Sequence, residues 1–276
     1  MTFRLGIDLG TSTTVAVLAG PDGPPRPLLF DGSPLLPSGV FAGRDFELRT
    51  GQDAERAAAA HPEGLERNPK RRIDDATVWL GEHEHPVVDL LAAVLARVAA
   101  EARRVAGQDP RTVVLTHPAA WGRARLDVLV QAATKAGLAV TGLVPEPVAA
   151  AAYFVSALRR TVAVGRSVVV YDLGAGTFDV SVVRRTEAGF AVVAAHGLTD
   201  VGGLALDALV VAHARGLTGG ATDAWHALDW PQSAADHQAR HALWAGARAA
   251  KEQLTRDTTA ELFVPLFADN RTRLLD

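Results

Sequence analysis

The chain has 276 residues, of which 48% are apolar and 21% are charged, and its formal net charge is −3 at pH 7. This composition is typical of a folded globular protein with one large or two modest domains, and it excludes disordered and fibrous classes. The arginines are scattered among acidic residues, so we expect no nucleic-acid partner. Cysteine is absent, which excludes disulfides and thiolate metal sites. We find no signal peptide and no membrane span, and expect a cytoplasmic protein.

A short sequence motif occurs twice in the chain. Residues 5–11 read LGIDLGT, and residues 169–177 read VVYDLGAGT. Each copy is followed by alternating valines, which predicts a strand, a glycine turn and a second strand. Two such hairpins predict two similar lobes.

Apolar periodicity and turn residues predict the other elements in chain order. The predicted helices lie near residues 53–60, 89–106, 123–136, 147–158, 204–214 and 235–253. The predicted strands lie near residues 112–115, 140–144, 168, 182 and 192, and in the stretch 260–275. Because strands alternate with helices along most of the chain, the sequence predicts an α/β protein.

These elements suggest a division of the chain into two lobes. The first lobe is predicted to comprise residues 1–165, with an exposed, charged insert at about residues 29–88. The second lobe is predicted to comprise residues 166–276. In that lobe the second glycine loop lies within residues 166–201, and an outer subdomain follows at 202–276.

A glycine turn from each lobe, facing a shared cleft, is suited to a polyphosphate because glycine lets backbone N–H groups approach the oxygens. Asp8 and Asp172 would then face each other and hold Mg²⁺ through its water shell, which makes the expected ligand a magnesium nucleotide. A P-loop is excluded because the sequence contains no Gly-Lys pair. A dinucleotide fingerprint is excluded because Asp179 stands at the position of its third glycine.

Two histidine pairs could suggest a metal site. These are His83 with His85, and His237 with His241. Gln238 stands where a metalloprotease carries glutamate and no thiolate is available, so we do not expect a zinc centre.

At these motifs the chain resembles the heat shock protein 70 family, which belongs to the actin-like ATPase superfamily. Five blocks carry the resemblance, and they occur in the family's order: residues 6–11 (GIDLGT), 69–71 (PKR), 116–119 (THPA), 145–153 (PEPVAAAAY) and 172–181 (DLGAGTFDVS). The resemblance implies an actin-like ATPase fold with duplicated ribonuclease-H-like lobes, in which helices flank mixed sheets. It covers the front part of the family's nucleotide-binding domain, so we expect the second lobe to be incomplete.

The resemblance also implies a role for each matching residue. Asp8 and Asp172 would hold Mg²⁺ through water. The catalytic residues would be Lys70, which reaches the γ-phosphate, together with Glu146, Asp179 and Thr177. The implied nucleotide-binding residues are Gly10, Thr11, Ser12, Thr13, Gly174, Ala175, Gly176, Thr177, Gly202, Gly203, Lys251 and Thr255.

Three further points qualify these roles. Pro118 would be the family's allosteric proline, but Leu126 stands at the position of its relay arginine. Arg248 replaces a glutamate on the adenosine-contacting helix, and Ala175 replaces a phosphate-loop glycine. Lys70 is one of only three lysines in the chain, which favours a functional role over a solvated surface charge.

The expected function is Mg-ATP binding and slow ATP hydrolysis, related to chaperones and the stress response in a bacterial cytoplasm. The expected ligands are ATP or ADP and Mg²⁺. A co-chaperone, an exchange factor or a separate polypeptide that completes the domain are candidate partners, since the chain ends before the family's substrate-binding domain. The alternatives are an actin-like filament ATPase, a small-molecule kinase on the same scaffold, and a non-enzymatic interaction module that keeps the fold.

Overall fold

A computed structural model describes residues 2–21, 23–43, 46–266 and 273–275. The helices are α1 (Gly51–Ala60), α2 (Val87–Ala106), α3 (Arg123–Lys135), α4 (Glu146–Ser156), α5 (Gly203–Leu217), α6 (Thr222–Asp229) and α7 (Ala234–Gln253). The strands of the first half are β1 (Arg4–Leu9), β2 (Thr13–Ala19), β3 (Arg26–Pro27), β4 (Leu36–Pro37), β5 (Val40–Ala42), β6 (Leu48–Thr50), β7 (Leu65–Glu66), β8 (Thr77–Leu80) and β9 (His83–Pro86). The remaining strands are β10 (Thr112–His117), β11 (Val140–Pro145), β12 (Ser167–Leu173), β13 (Thr177–Thr186), β14 (Gly189–Thr199), β15 (Leu262–Val264) and β16 (Arg273–Leu275).

A mixed sheet forms the centre of the first lobe, which extends to α4. Its strand order is β11-β10-β1-β2-β3, and β4 also pairs with β2. β1 runs antiparallel to β2 and parallel to β10. Leu5, Ile7 and Leu9 alternate into the core, where α2 and α3 cover the sheet. This alternation fixes the register of β1, because a slip by one residue would turn its apolar side chains to solvent.

The second lobe begins at β12 and contains a three-stranded antiparallel sheet in the order β12-β13-β14. Helix α4 contacts both this sheet and strands β10 and β11 of the first lobe, and so connects the two lobes. Beyond the sheet, α5, α6, α7 and β15 form a separate core around Val211, Trp225, Leu243 and Val264. This core shares no buried residue with the main core of the first lobe.

Most of the predicted elements are confirmed. Both glycine-turn motifs form antiparallel hairpins, β1–β2 and β12–β13. Gly107 ends α2 in the left-handed region with φ of 70°, as its position after the periodic stretch predicts. The predicted β structure of residues 260–275 is found as β15 and β16, and residues 267–272 lie outside the described part of the chain.

The segment of about residues 29–88 corrects one prediction, since it is not exposed along its length. Val40 and Ile73 lie in the main core, and Phe41, Ala54 and Ala58 form a small core of their own. The apolar residues of this segment are separated by charged and turn residues, so they form no periodic pattern in the sequence. Helix α6 was also not predicted.

One negative observation concerns membranes. In the described part of the chain, no helix combines the length and the apolar character that a bilayer crossing needs.

Candidate functional site

The two glycine loops meet at a cleft between the lobes. Residues 10–12 join β1 to β2, and residues 174–176 join β12 to β13. The loops are in contact, because a β-carbon built on Gly176 would lie 3.3 Å from Cγ2 of Thr11. A β-carbon on Gly10 would lie 2.2 Å from the carbonyl oxygen of Thr13, so the first turn requires glycine at this position.

The cleft has a volume of about 440 Å³ and is lined from both lobes. Most of the residues predicted from the sequence line it. They are Asp8, Gly10, Thr11, Ser12, Thr13, Lys70, Pro118, Glu146, Asp172, Gly174, Ala175, Gly176 and Thr177. Segments far apart in sequence therefore converge on one surface.

Carboxylates are concentrated at the floor of this cleft. Asp172 lies directly across the β12–β13 ladder from Asp179, and a small adjoining cavity is lined by Asp172, Asp179 and Glu146. The hydroxyl of Thr116 donates a 2.6 Å hydrogen bond to Oδ1 of Asp8. Asp8 and Asp172 occupy equivalent positions in the two hairpins, each one residue before the end of the first strand.

Hydroxyl groups orient two more of the predicted residues. The Oγ1 of Thr177 donates to Oδ2 of Asp179 at 2.7 Å. The hydroxyl of Ser12 donates to Oδ1 of Asn68 at 3.3 Å. The hydroxyl protons of Ser12 and Thr177 are thus engaged within the protein, and a phosphate would have to displace these contacts to accept from them.

The acidic cluster changes the proton affinity of its members. Burial raises the pKa of Glu146 above its ordinary value of 4.5, and Asp8 and Asp172 raise it further, whereas Lys70 opposes the rise. Partial burial raises the pKa of Asp172, and the charges of Asp179 and Asp8 add to this effect. Negative charge is therefore in excess here, which favours a bound cation.

Lys70 provides the opposing positive charge. It lies in the 3₁₀ turn Pro69–Arg72, and its Nζ donates to Oε1 of Glu146 at 2.8 Å. The Nζ also lies 5.3 Å from the centre of the Trp121 ring. The side chain is only 10% exposed, so Lys70 is not a solvated surface charge.

The second glycine pair supports the second loop from behind. The N–H of Gly203 donates to the carbonyl of Gly174 at 3.0 Å. A β-carbon on Gly202 would approach the carbonyl oxygen of Ala175 to 2.7 Å. Neither residue of this pair is among those that line the cleft. Their contacts hold the loop that would meet phosphate.

The two residues predicted to contact adenosine also lie outside the cleft lining. Lys251 donates to the carbonyl of Gly203 at 3.0 Å and pairs with the buried Asp207 at 2.6 Å. Thr255 is exposed and donates to the carbonyl of Glu252 at 2.7 Å. Lys251 is thus a structural contact of the loop support, and its adenosine role remains a prediction, as does that of Thr255.

Several cleft residues were not predicted from the sequence. Arg71 pairs with Asp200 across the cleft at 2.6 Å, and Arg125 makes two hydrogen bonds to Asp74, of 2.8 and 2.6 Å. Trp121 also lines the site. Arg71 follows Lys70 in the family-like block and could have been found there. No sequence pattern links the other cleft residues of this paragraph with that block.

The carboxylate oxygens of the cleft are the kind of donor that Mg²⁺ binds. Among the described residues, no group of three His, Cys, Asp or Glu side chains is placed to ligate a metal ion directly. This fits Mg²⁺ held mostly through its own water molecules, which accepts one or two carboxylates. His241 belongs to one of the two histidine pairs at which we expected no zinc centre. Its Nδ1 atom lies 2.6 Å from Nη2 of Arg67, so this ring nitrogen is engaged by a hydrogen bond.

Two α/β lobes that each place a glycine hairpin and an aspartate at a common cleft are the features of the actin-like ATPase fold. The comparisons give the family. Residues 41–272 match the family model described as Hsp70 protein. The Chaperone protein DnaK of Halobacterium salinarum is 32% identical over 264 residues, which cover 94% of this chain and 40% of that protein.

Other relatives agree. The Chaperone protein DnaK of Thermotoga maritima is 32% identical over 204 residues, covering 73% of this chain and 34% of that protein. The Chaperone protein dnaK1 of Parasynechococcus marenigrum is 29% identical over 292 residues, covering 96% and 42%. The chain therefore belongs to the Hsp70 family and has the actin-like ATPase fold. It spans about 40% of the length of the curated relatives that it matches over most of its own length.

Proposed function

We propose that this chain binds Mg-ATP in the cleft between its lobes and hydrolyses it slowly. The observation that carries the proposal is the convergence of four carboxylates and the buried Lys70 between two glycine loops in contact with each other. Membership of the Hsp70 family supports nucleotide as the ligand.

In this proposal the loops bind the phosphate groups. The backbone of residues 10–13 and 175–177 supplies N–H donors, and the hydroxyls of Thr11 and Thr13 add to them. Gly174 shapes the second loop, since its own N–H donates to the carbonyl of Thr177. Asp8 and Asp172 hold Mg²⁺ through its water shell. When bound, the ion neutralises charge on the phosphate oxygens and so favours their transfer.

Glu146 and Asp179 act on the attacking water. Burial and the neighbouring Asp8 and Asp172 raise the pKa of Glu146, which makes it a stronger base than an ordinary glutamate. Asp179 is fixed by Thr177 and orients the water. Lys70 presents a compact positive charge to the terminal phosphate.

The same contacts account for slow turnover. The Oε1 atom of Glu146 is engaged by Lys70 at 2.8 Å. Glu146 can accept a proton and Lys70 can approach phosphate only after this contact breaks or after each group gains a second partner. Each turnover therefore includes a rearrangement of a mostly buried contact.

The remaining assignments belong to the same proposal. The lobes comprise residues 1–165 and 166–276, Pro118 relays the state of the cleft, and Lys251 and Thr255 meet the adenosine. The proposal also includes a role in protein folding under stress in a bacterial cytoplasm, with a co-chaperone or an exchange factor as partner. The relatives' chaperone names support the chaperone part of it.

A single-turnover assay of phosphate release tests the catalytic part. Glu146→Gln is expected to slow release by about 100-fold or more, because it removes the proton acceptor. Asp127→Asn is the control, since Asp127 lies on α3 in an exposed pair with Arg123 and is not among the residues that line the cleft. Equal rates in the wild type and in Glu146→Gln would contradict the assignment.

A further inference from the structure

An arginine–aspartate pair spans the mouth of the cleft. Nη2 of Arg71, from the first lobe, donates to Oδ1 of Asp200, from the second lobe, at 2.6 Å. Both residues line the cleft. The Arg71 side chain is 44% exposed and that of Asp200 is 76% exposed. Water and small anions can therefore reach this contact.

The surroundings place the Arg71 guanidinium beside the second glycine loop. A β-carbon built on Gly176 would lie 3.5 Å from Cδ of Arg71, so the stem of the arginine packs on that loop. Asp200 follows the last residue of β14 and has φ of 60°, a left-handed conformation that aspartate tolerates better than most residues. The pair thus lies where phosphate is proposed to bind.

Arg71 differs from the other cleft cations. Lys70 is buried and held by Glu146, and Arg125 donates two hydrogen bonds to Asp74 within the first lobe. Arg71 is engaged by one exposed carboxylate of the opposite lobe. A guanidinium so placed can exchange a single carboxylate contact for the several oxygens of a phosphate, which match its planar donors better.

We propose that Arg71 binds the terminal phosphate of a nucleoside triphosphate, and that Asp200 holds the guanidinium while that phosphate is absent. This inference rests on the proposed function, since it concerns the same cleft. It assigns to Arg71 the discrimination between ATP and ADP. Asp200 acts as a competitor that weakens triphosphate binding.

Affinities of two charge-removing variants separate this role from a purely structural one. Kd values for Mg-ATP and Mg-ADP are measured by displacement of a fluorescent ADP analogue. Arg71→Gln is expected to weaken Mg-ATP binding by about 10- to 100-fold and to change Mg-ADP binding little. Asp200→Asn is expected to strengthen Mg-ATP binding by about 2- to 5-fold, since it removes the competing carboxylate.

A matched control comes from the pair of Arg103 and Asp109, which is also exposed and has a 2.7 Å contact. Arg103→Gln and Asp109→Asn should leave both affinities unchanged. If the Arg71–Asp200 pair only ties the lobes together, both cleft variants will shift ATP and ADP affinity in the same direction, which overturns the inference and leaves the proposed function standing. If the wild type binds neither nucleotide, the proposed function fails and the inference fails with it.

Discussion

Replacing Lys70 by methionine gives a sharp test of the site's electrostatics, because it keeps the volume of the stem and removes the charge. Glu146 would lose the 2.8 Å contact that opposes the rise of its pKa. A carboxylate left mostly buried without its partner is strongly destabilising. The variant is therefore expected to unfold more easily at neutral pH, even without nucleotide.

Protonation of Glu146 sets an upper limit on this cost. The ordinary pKa of a glutamate is 4.5, so taking up a proton at pH 7 costs about 2.5 pH units at about 1.4 kcal/mol each, or about 3.5 kcal/mol. At pH 5 the same limit falls to about 0.7 kcal/mol. In the variant the folded state holds its proton more tightly than the unfolded state, so stability falls as pH rises from about 4.5 through the raised pKa.

Urea unfolding at pH 5 and pH 7 measures the effect. Lys70→Met should lose about 2–3 kcal/mol at pH 7 and less than about 1 kcal/mol at pH 5. Lys135→Met is the control, because Lys135 pairs with Asp89 at the surface and such pairs contribute about 0–1 kcal/mol. An equal loss for Lys70→Met at both pH values, or no loss at all, would refute the buried-pair argument.

Three further predictions concern two cleft residues and one histidine outside the cleft lining. Asp172→Asn removes one of two like charges that face each other across a strand pair, so by differential scanning calorimetry without ligand it should raise the free energy of unfolding by about 0.2–1 kcal/mol, while it abolishes Mg-ATP binding. Gly10→Ala places a methyl group 2.2 Å from a backbone oxygen and should eliminate nucleotide binding in equilibrium dialysis, whereas Gly6→Ala, which meets no atom within 4 Å, should bind normally. Burial, and secondarily Arg67, lowers the pKa of His241 to about 4, so the folded state resists protonation; stability should fall by about 1–2 kcal/mol as pH drops from 6.5 toward 5, and His241→Gln should reduce this slope in urea titrations. The last prediction would be contradicted if the wild type lost less unfolding free energy between pH 7 and pH 5 than His241→Gln does.

The local parts of the fold follow from the sequence. The hairpins of Asp8 and Asp172 are visible because valines alternate after each glycine turn, and α2 is visible because its apolar residues repeat at helical spacing up to Gly107. The cleft residues that lie within these motifs could therefore be named in advance. Each of these residues belongs to a short contiguous motif, and such a motif can be recognised in a single sequence.

Contacts between distant segments could not be predicted in the same way. Phe41 and Ala54 are buried, although their segment has the charged, turn-rich composition of an exposed insert. The cross-lobe pair of Arg71 and Asp200 joins residues far apart in sequence, and no periodicity relates them. Lys251 has the residue type of a ligand contact, but its charge is used by the buried Asp207.

Isothermal titration of the chain with Mg-ATP tests the central claim most directly. The account predicts saturable binding of Mg-ATP at one site and loss of this binding in Asp172→Asn. The affinity for ATP should fall strongly when Mg²⁺ is removed by a chelator. Circular dichroism of the same samples shows that both proteins are folded. A folded wild type that releases no heat with Mg-ATP, or that binds it equally well after the Asp172→Asn change, would contradict the claim that this cleft is the nucleotide site.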